Sequence, residues 1–105
     1  MEQSERAHKL KEMLEKSPRD SFLLYALAME YKKQGEGPAA IELLDKVILN
    51  EAGYCYAYYQ KGQILESQGD LPAAQQVYRR GIQAADVKGD GHAREELAAA
   101  LALIE

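Results

Sequence analysis

The segment Gly35-Glu36-Gly37-Pro38-Ala39-Ala40 returns as Gly69-Asp70-Leu71-Pro72-Ala73-Ala74, 34 residues further on. Tyr25 and Tyr59, Gln34 and Gln68, and Ile48 and Ile82 match at the same offset without a gap. A period of this size marks an array of similar supersecondary units, each too small to bury its own apolar face and therefore stacked on the next. One period before Ala52 stands Pro18, a residue suited to a helix junction, so the rhythm reaches into the N-terminal segment.

Within each period the apolar spacing is helical. Leu23, Leu24, Leu27, Ala28 and Tyr31 recur at three- and four-residue steps, with Asp20 or Ser21 available to cap the start. Gly35 and Gly37 break this helix, and Pro38 suits the first turn of the next, where a missing N–H leaves no partner wanting. Ala40, Ile41, Leu44, Val47 and Ile48 form the second stripe; Ala57, Tyr58, Gly62 and Leu65, then Ala74, Val77, Tyr78, Gly81 and Ile82, repeat the pair. Tyr54 to Tyr59 is rich in strand-favouring residues, but its alignment with the preceding period predicts a helix. The spacing also predicts an N-terminal helix with Ala7, Leu10, Met13 and Leu14 on one face, stopped by Ser17-Pro18. Val87 to Gly91 reads as a turn, and His92 to Glu105 as a sixth and last helix.

With 47% hydrophobic and 29% charged residues among 105, the chain can form a real core. Its net charge of −4, with basic side chains clustered no further than Lys32-Lys33 and Arg79-Arg80, argues against nucleic acid as a partner. The single cysteine, Cys55, cannot form an internal disulfide, and Glu2, Glu5, Glu12 and Glu15 interrupt any leader-like apolar run. The expected location is the cytoplasm, with no membrane contact.

A 34-residue helix-turn-helix period with small residues at fixed places resembles the tetratricopeptide repeat family. The residues carrying the likeness are Leu24, Leu27-Ala28, Tyr31, Ala40, Leu44, Val47 and Ala52 in one repeat. In the next they are Tyr58, Lys61-Gly62, Leu65, Ala74, Tyr78, Gly81 and Asp86. Lys61 stands where the family prefers leucine, and its stem is expected to lie along the core with the ammonium in water. Ala52 and Asp86 replace a closing proline that Pro18 supplies. The resemblance implies an all-α fold, a right-handed α–α superhelix of about six antiparallel helices forming one domain over residues 1–105. Its parts are a half repeat (1–17), two full repeats (21–54 and 55–88) and a capping helix (89–105).

The resemblance also implies a groove lined by the first helix of each repeat. Its positions fall on Phe22, Tyr25, Met29, Lys32 and Lys33, and on Tyr56, Tyr59, Gln63, Glu66 and Ser67. The chain's only Phe and three of its seven Tyr are in this set, and aromatic side chains dominate the energetics of protein contacts. Family members that clamp a peptide's C-terminal carboxylate carry Lys, Asn and Arg where this chain has Tyr25, Met29, Tyr59 and Gln63, so that clamp is absent. The same rings would also serve packing between helices, or lie under the last helix; the sequence leaves these arrangements open.

Signs of catalysis are missing. His8 and His92 sit on different terminal helices with no ligand-like spacing around them, Cys55 has no basic neighbour in sequence, and the paired glycines lack the strand that precedes a phosphate loop. Neither enzyme activity nor a cofactor or metal is expected. The expected function is a protein-interaction module that holds a partner's peptide segment in the groove. The alternatives are a homodimer formed through the groove or through Leu97, Leu101, Leu103 and Ile104 of the last helix, and a dedicated chaperone for a client protein.

Overall fold

The computed structural model describes residues 4–105; residues 1–3 of the expected half repeat lie outside the described residues. Six helices follow in order: α1 (Glu5–Lys16), α2 (Ser21–Lys33), α3 (Gly37–Asn50), α4 (Cys55–Ser67), α5 (Leu71–Lys88) and α6 (Gly91–Ala102). The tyrosine-rich stretch begins with Tyr54 as the N-cap of α4 and continues through that helix's first turns. Its strand-like composition gives way because Ala57, Tyr58 and Ile64 are buried between neighbouring helices.

Short side chains start four of the helices. Ser4, Asp20, Asp70 and Asp90 each accept a hydrogen bond from the N–H three residues on, at 3.0, 3.1, 3.2 and 3.0 Å. Pro38 lies in the opening turn of α3. Three helices end alike. Gly35, Gly69 and Gly89 adopt φ of +77°, +81° and +79°, and the following Glu36, Asp70 and Asp90 donate back to the carbonyls of Tyr31, Leu65 and Ala85. The last of these stops corrects the expected turn. Val87 and Lys88 remain helical because the first residue able to take the left-handed conformation is Gly89, so α5 has 18 residues against 14 in α3.

Each helix packs on its neighbours in sequence, and the core forms three clusters in series. Ala7, Leu10, Leu23, Ala26 and Leu27 join α1 to α2. Leu24, Ala28, Ala40, Leu44 and Val47 meet Ala57 and Ile64 between α2, α3 and α4. Tyr58, Val77, Tyr78, Leu97 and Leu101 fill the space between α4, α5 and α6. Met13, expected on the buried face of α1, is instead 52% exposed, since α1 packs chiefly on α2 and cannot cover a wider stripe. Close approach depends on small residues: Ala28, Ala40 and Ala74 are fully buried, and Gly62 lies against the Tyr78 ring. The Lys61 stem is largely covered, and its ammonium meets Asp45 Oδ1 of α3 at 2.7 Å.

Candidate functional site

Helices α2, α4 and α6 are cross-linked into one wall. The rings of Tyr25 and Tyr54 lie 5.3 Å apart at a 35° tilt, and Lys32 Nζ donates to Gln60 Oε1 at 2.6 Å, both tying α2 to the start or middle of α4. Between α4 and α6, the Tyr56 hydroxyl donates to Glu96 Oε1 at 2.9 Å, and His92 Nε2 lies 2.6 Å from the same oxygen. Beneath the wall, the fully buried Tyr78 donates its hydroxyl to Glu66 and accepts from Gln63 Nε2 at 2.7 Å. The Tyr59 ring lies 6.3 Å from that of Tyr78.

The expected groove residues divide by exposure. Phe22 stands out at 67% exposed in the first turn of α2, and Lys32 and Lys33 are exposed in its last turn. Tyr25, Met29, Tyr56, Tyr59, Gln63 and Glu66 are half-buried, each with one side in the protein and one toward solvent. Lys33 lies 3.5 Å from the buried Glu30, which also meets Arg6 at 3.3 Å. The Ser67 hydroxyl turns back to the Ile64 carbonyl at 2.6 Å. Three contributors escape the repeat arithmetic: Gln60, Glu96 and His92. The N-caps of α2 and α4 are 34 residues apart, at Asp20 and Tyr54, whereas Asp90 follows 36 after Tyr54, so the longer α5 moves α6 out of register.

The last helix does not present the apolar surface expected of it. Leu97 and Leu101 are 1% and 8% exposed, inside the α4–α5–α6 core, and Ile104 packs against it. Gly81 makes room for Leu97: a Cβ there would lie 3.0 Å from one leucine methyl. Of the four residues only Leu103 projects into solvent, at 86% exposed.

Tyr25, Tyr54, Tyr56 and Tyr78 are harder to ionise here than a free tyrosine. Burial raises the pKa of Tyr25, against the pull of its Gln60 hydrogen bond, and raises that of Tyr54, helped by nearby Tyr25, Glu51 and Asp20. The hydrogen bond to Glu96 is the main cause for Tyr56, ahead of burial. For Tyr78 burial leads and the Glu66 carboxylate adds to it. Cys55, 3% exposed with its thiol on the Gly53 carbonyl at 3.3 Å, is likewise shifted up, chiefly by burial.

These upward shifts fix an alkaline limit. An acid harder to ionise folded than unfolded stabilises the fold fully below its unfolded pKa and loses that contribution as pH rises toward the folded value. With cysteine at its ordinary value of 9.0 and tyrosine at 10.0 when unfolded, the denaturation midpoint should be flat from about pH 7 to 8, begin to fall near pH 9 and fall more steeply above about pH 10. Thermal melts followed by circular dichroism check this; a midpoint that rises through that range would contradict the burial of these hydroxyls.

Residues 56–86 match the model of the tetratricopeptide repeat. A tetratricopeptide repeat domain protein from Salinibacter ruber, known from its solution structure, is 30% identical. The likeness covers 84% of this chain and 89% of that one, with a TM-score of 0.79. A protein from Bordetella parapertussis is 26% identical over 93% of this chain and 85% of its own, at a TM-score of 0.81. The type III secretion translocator chaperone SycD of Yersinia enterocolitica shares the fold at a TM-score of 0.84, over 93% of this chain and 68% of that one, with 13% identity. No curated protein sequence matches the chain. No helix among the described residues is long and apolar enough to cross a membrane. The period, the helical hairpins stacked as a right-handed α–α superhelix and these likenesses agree: the chain belongs to the tetratricopeptide repeat family.

Proposed function

We propose that the chain is a non-catalytic interaction module that binds a segment of a partner protein along the wall of α2 and α4, with α6 closing one side. The observation that carries this is the composition of the wall. Phe22, Tyr25, Tyr56 and Tyr59 offer ring surface to solvent from stiff helices, and the torsions of the three tyrosines are already restricted by the contacts described above. Lys32 and Lys33 stand at one end of α2, and Glu66 and Glu96 lie on the helices beyond. A bound segment would therefore meet opposite charge preferences along its length, which fixes its direction.

Replacing Tyr25 and Tyr59 together by alanine should weaken capture of a partner at least about tenfold while the helical spectrum is retained. Pull-down with equal amounts of folded wild type and variant measures it. Undiminished capture by the folded double variant would reject the wall as the binding surface. Self-association through α6 has less support, because Leu97 and Leu101 are committed to the core.

A further inference from the structure

A second feature lies outside the aromatic wall, where the α3–α4 junction meets the last turns of α5. Ala52, Tyr58, Arg80, Ala84, Val87 and Lys88 line a cavity of about 330 Å³, and none of them belongs to the groove set. Its origin is visible by comparing the two repeats of this same chain. At the first junction, Pro18 and Arg19 precede α2, and Asn50 of α3 closes the gap by donating its amide to the Arg19 carbonyl at 3.2 Å. One period later the corresponding residues are Ala52, Gly53 and Ala84. Ala84 has no amide to give and Ala52 lacks the proline ring, so the gap stays open. The Gly53 carbonyl is met instead by Lys88, which reaches it at 3.3 Å from the additional turn of α5.

The result is an apolar floor with a basic rim. Tyr58, 4% exposed, underlies the floor, and its hydroxyl is spent on the Ala52 carbonyl at 2.7 Å, so it leaves no free polar group there. The Arg80 guanidinium lies 5.8 Å from the centre of the Tyr58 ring, and Val87 is 92% exposed at the edge. Arg80 and Lys88 are the two charged residues of the lining, and no carboxylate faces them from within it. The nearest acid on α5, Asp86, is engaged by Arg94 at 2.6 Å. Because the whole chain carries −4, this pair is a local exception, and it attracts an anion only at contact range.

We infer that this cavity is a second protein-binding site, which takes one apolar side chain of a partner segment whose flanking residues are acidic. The cavity is open rather than enclosed by side chains on all sides, and the only charged residues of its lining are the two cations, which suit acidic residues flanking an inserted side chain. The site works independently of the aromatic wall, so one chain could hold two segments and gain avidity from their linkage.

The probe is a capped peptide with one central leucine between glutamates, titrated to about 1 mM into isotopically labelled protein and followed by backbone amide shifts. The expected result is saturable shifts centred on Ala52, Tyr58, Ala84 and Val87. Arg80→Glu with Lys88→Glu should weaken binding at least about tenfold. Ala84→Asn, which restores the closing amide of the first junction, should weaken it by a similar factor. The variant lacking the Tyr25 and Tyr59 rings should bind the probe as wild type does, which keeps this site distinguishable from the groove. The inference is overturned if shifts fail to saturate, if they cluster at the wall, or if a lysine-flanked peptide binds equally well. It also fails if hexanoate alone binds as tightly as the peptide, or if the same amides shift with protein concentration in the absence of peptide.

Discussion

Gly62→Ala should be among the most damaging single changes in the chain, costing about 3 kcal/mol or more and lowering the melting temperature by roughly 12–25 °C. A Cβ at this position would lie closer than 3.0 Å to three carbons of the Tyr78 ring. The ring has no room to yield, since Tyr78 is fully buried and its hydroxyl is held by Glu66 and Gln63. Helix propensity pulls the other way, because alanine is the better helix former by about 1 kcal/mol. The control is Gly91→Ala, where a Cβ meets nothing within 4 Å; that change should be neutral or slightly stabilising. Combining Gly62→Ala with Tyr78→Leu should cost less than the two penalties added, since the shorter side chain vacates the contested space. Urea denaturation of the four variants decides the matter. Equal stability of Gly62→Ala and wild type would mean that α4 and α5 are not packed as described.

Leu97→Ala should cost about 2–5 kcal/mol, the range for emptying a buried leucine site. Leu97 is 1% exposed, against Gly81 and the ring-rich interior between α4 and α5, where rigid tyrosines limit collapse into the void. Leu103→Ala on the same helical tail should stay within about 0.5 kcal/mol, because Leu103 is 86% exposed. The contrast tests whether α6 is an integral layer or a loosely attached flap. If both variants melt alike, α6 does not contribute to the core, and Glu96 is not fixed beside Tyr56 of α4.

Much of this fold can be read from spacing alone. Asp20 and Tyr54 precede the first helices of consecutive repeats at the common interval, so Phe22 and Tyr56, and Tyr25 and Tyr59, hold equivalent positions on α2 and α4. The period also overrules the strand preference of Tyr54 to Tyr59. What escapes are effects of context. Whether α5 stops at Asp86 or Lys88 depends on which residue can adopt a left-handed backbone, and the answer at Gly89 shifts every later position. Glu96 and His92 are invisible to the period for that reason. Leu97 and Leu101 look like surplus apolar surface until the space beside Gly81 is known. Gln60 joins the site only because Lys32 on another helix bends toward it, a pairing that no spacing within one helix encodes.

The interior is three small lobes joined through shared residues: Leu14, Tyr31 and Leu43 between the first two, and Ile48 between the second and third. Tyr25 is seated on the middle lobe, whereas Tyr56 and Tyr59 are seated on the C-terminal one. Helix α4 gives Ala57 and Ile64 to the middle lobe and Cys55 and Tyr58 to the C-terminal one, so a single continuous helix belonging to both lobes holds Tyr56 and Tyr59 at a set distance from Tyr25.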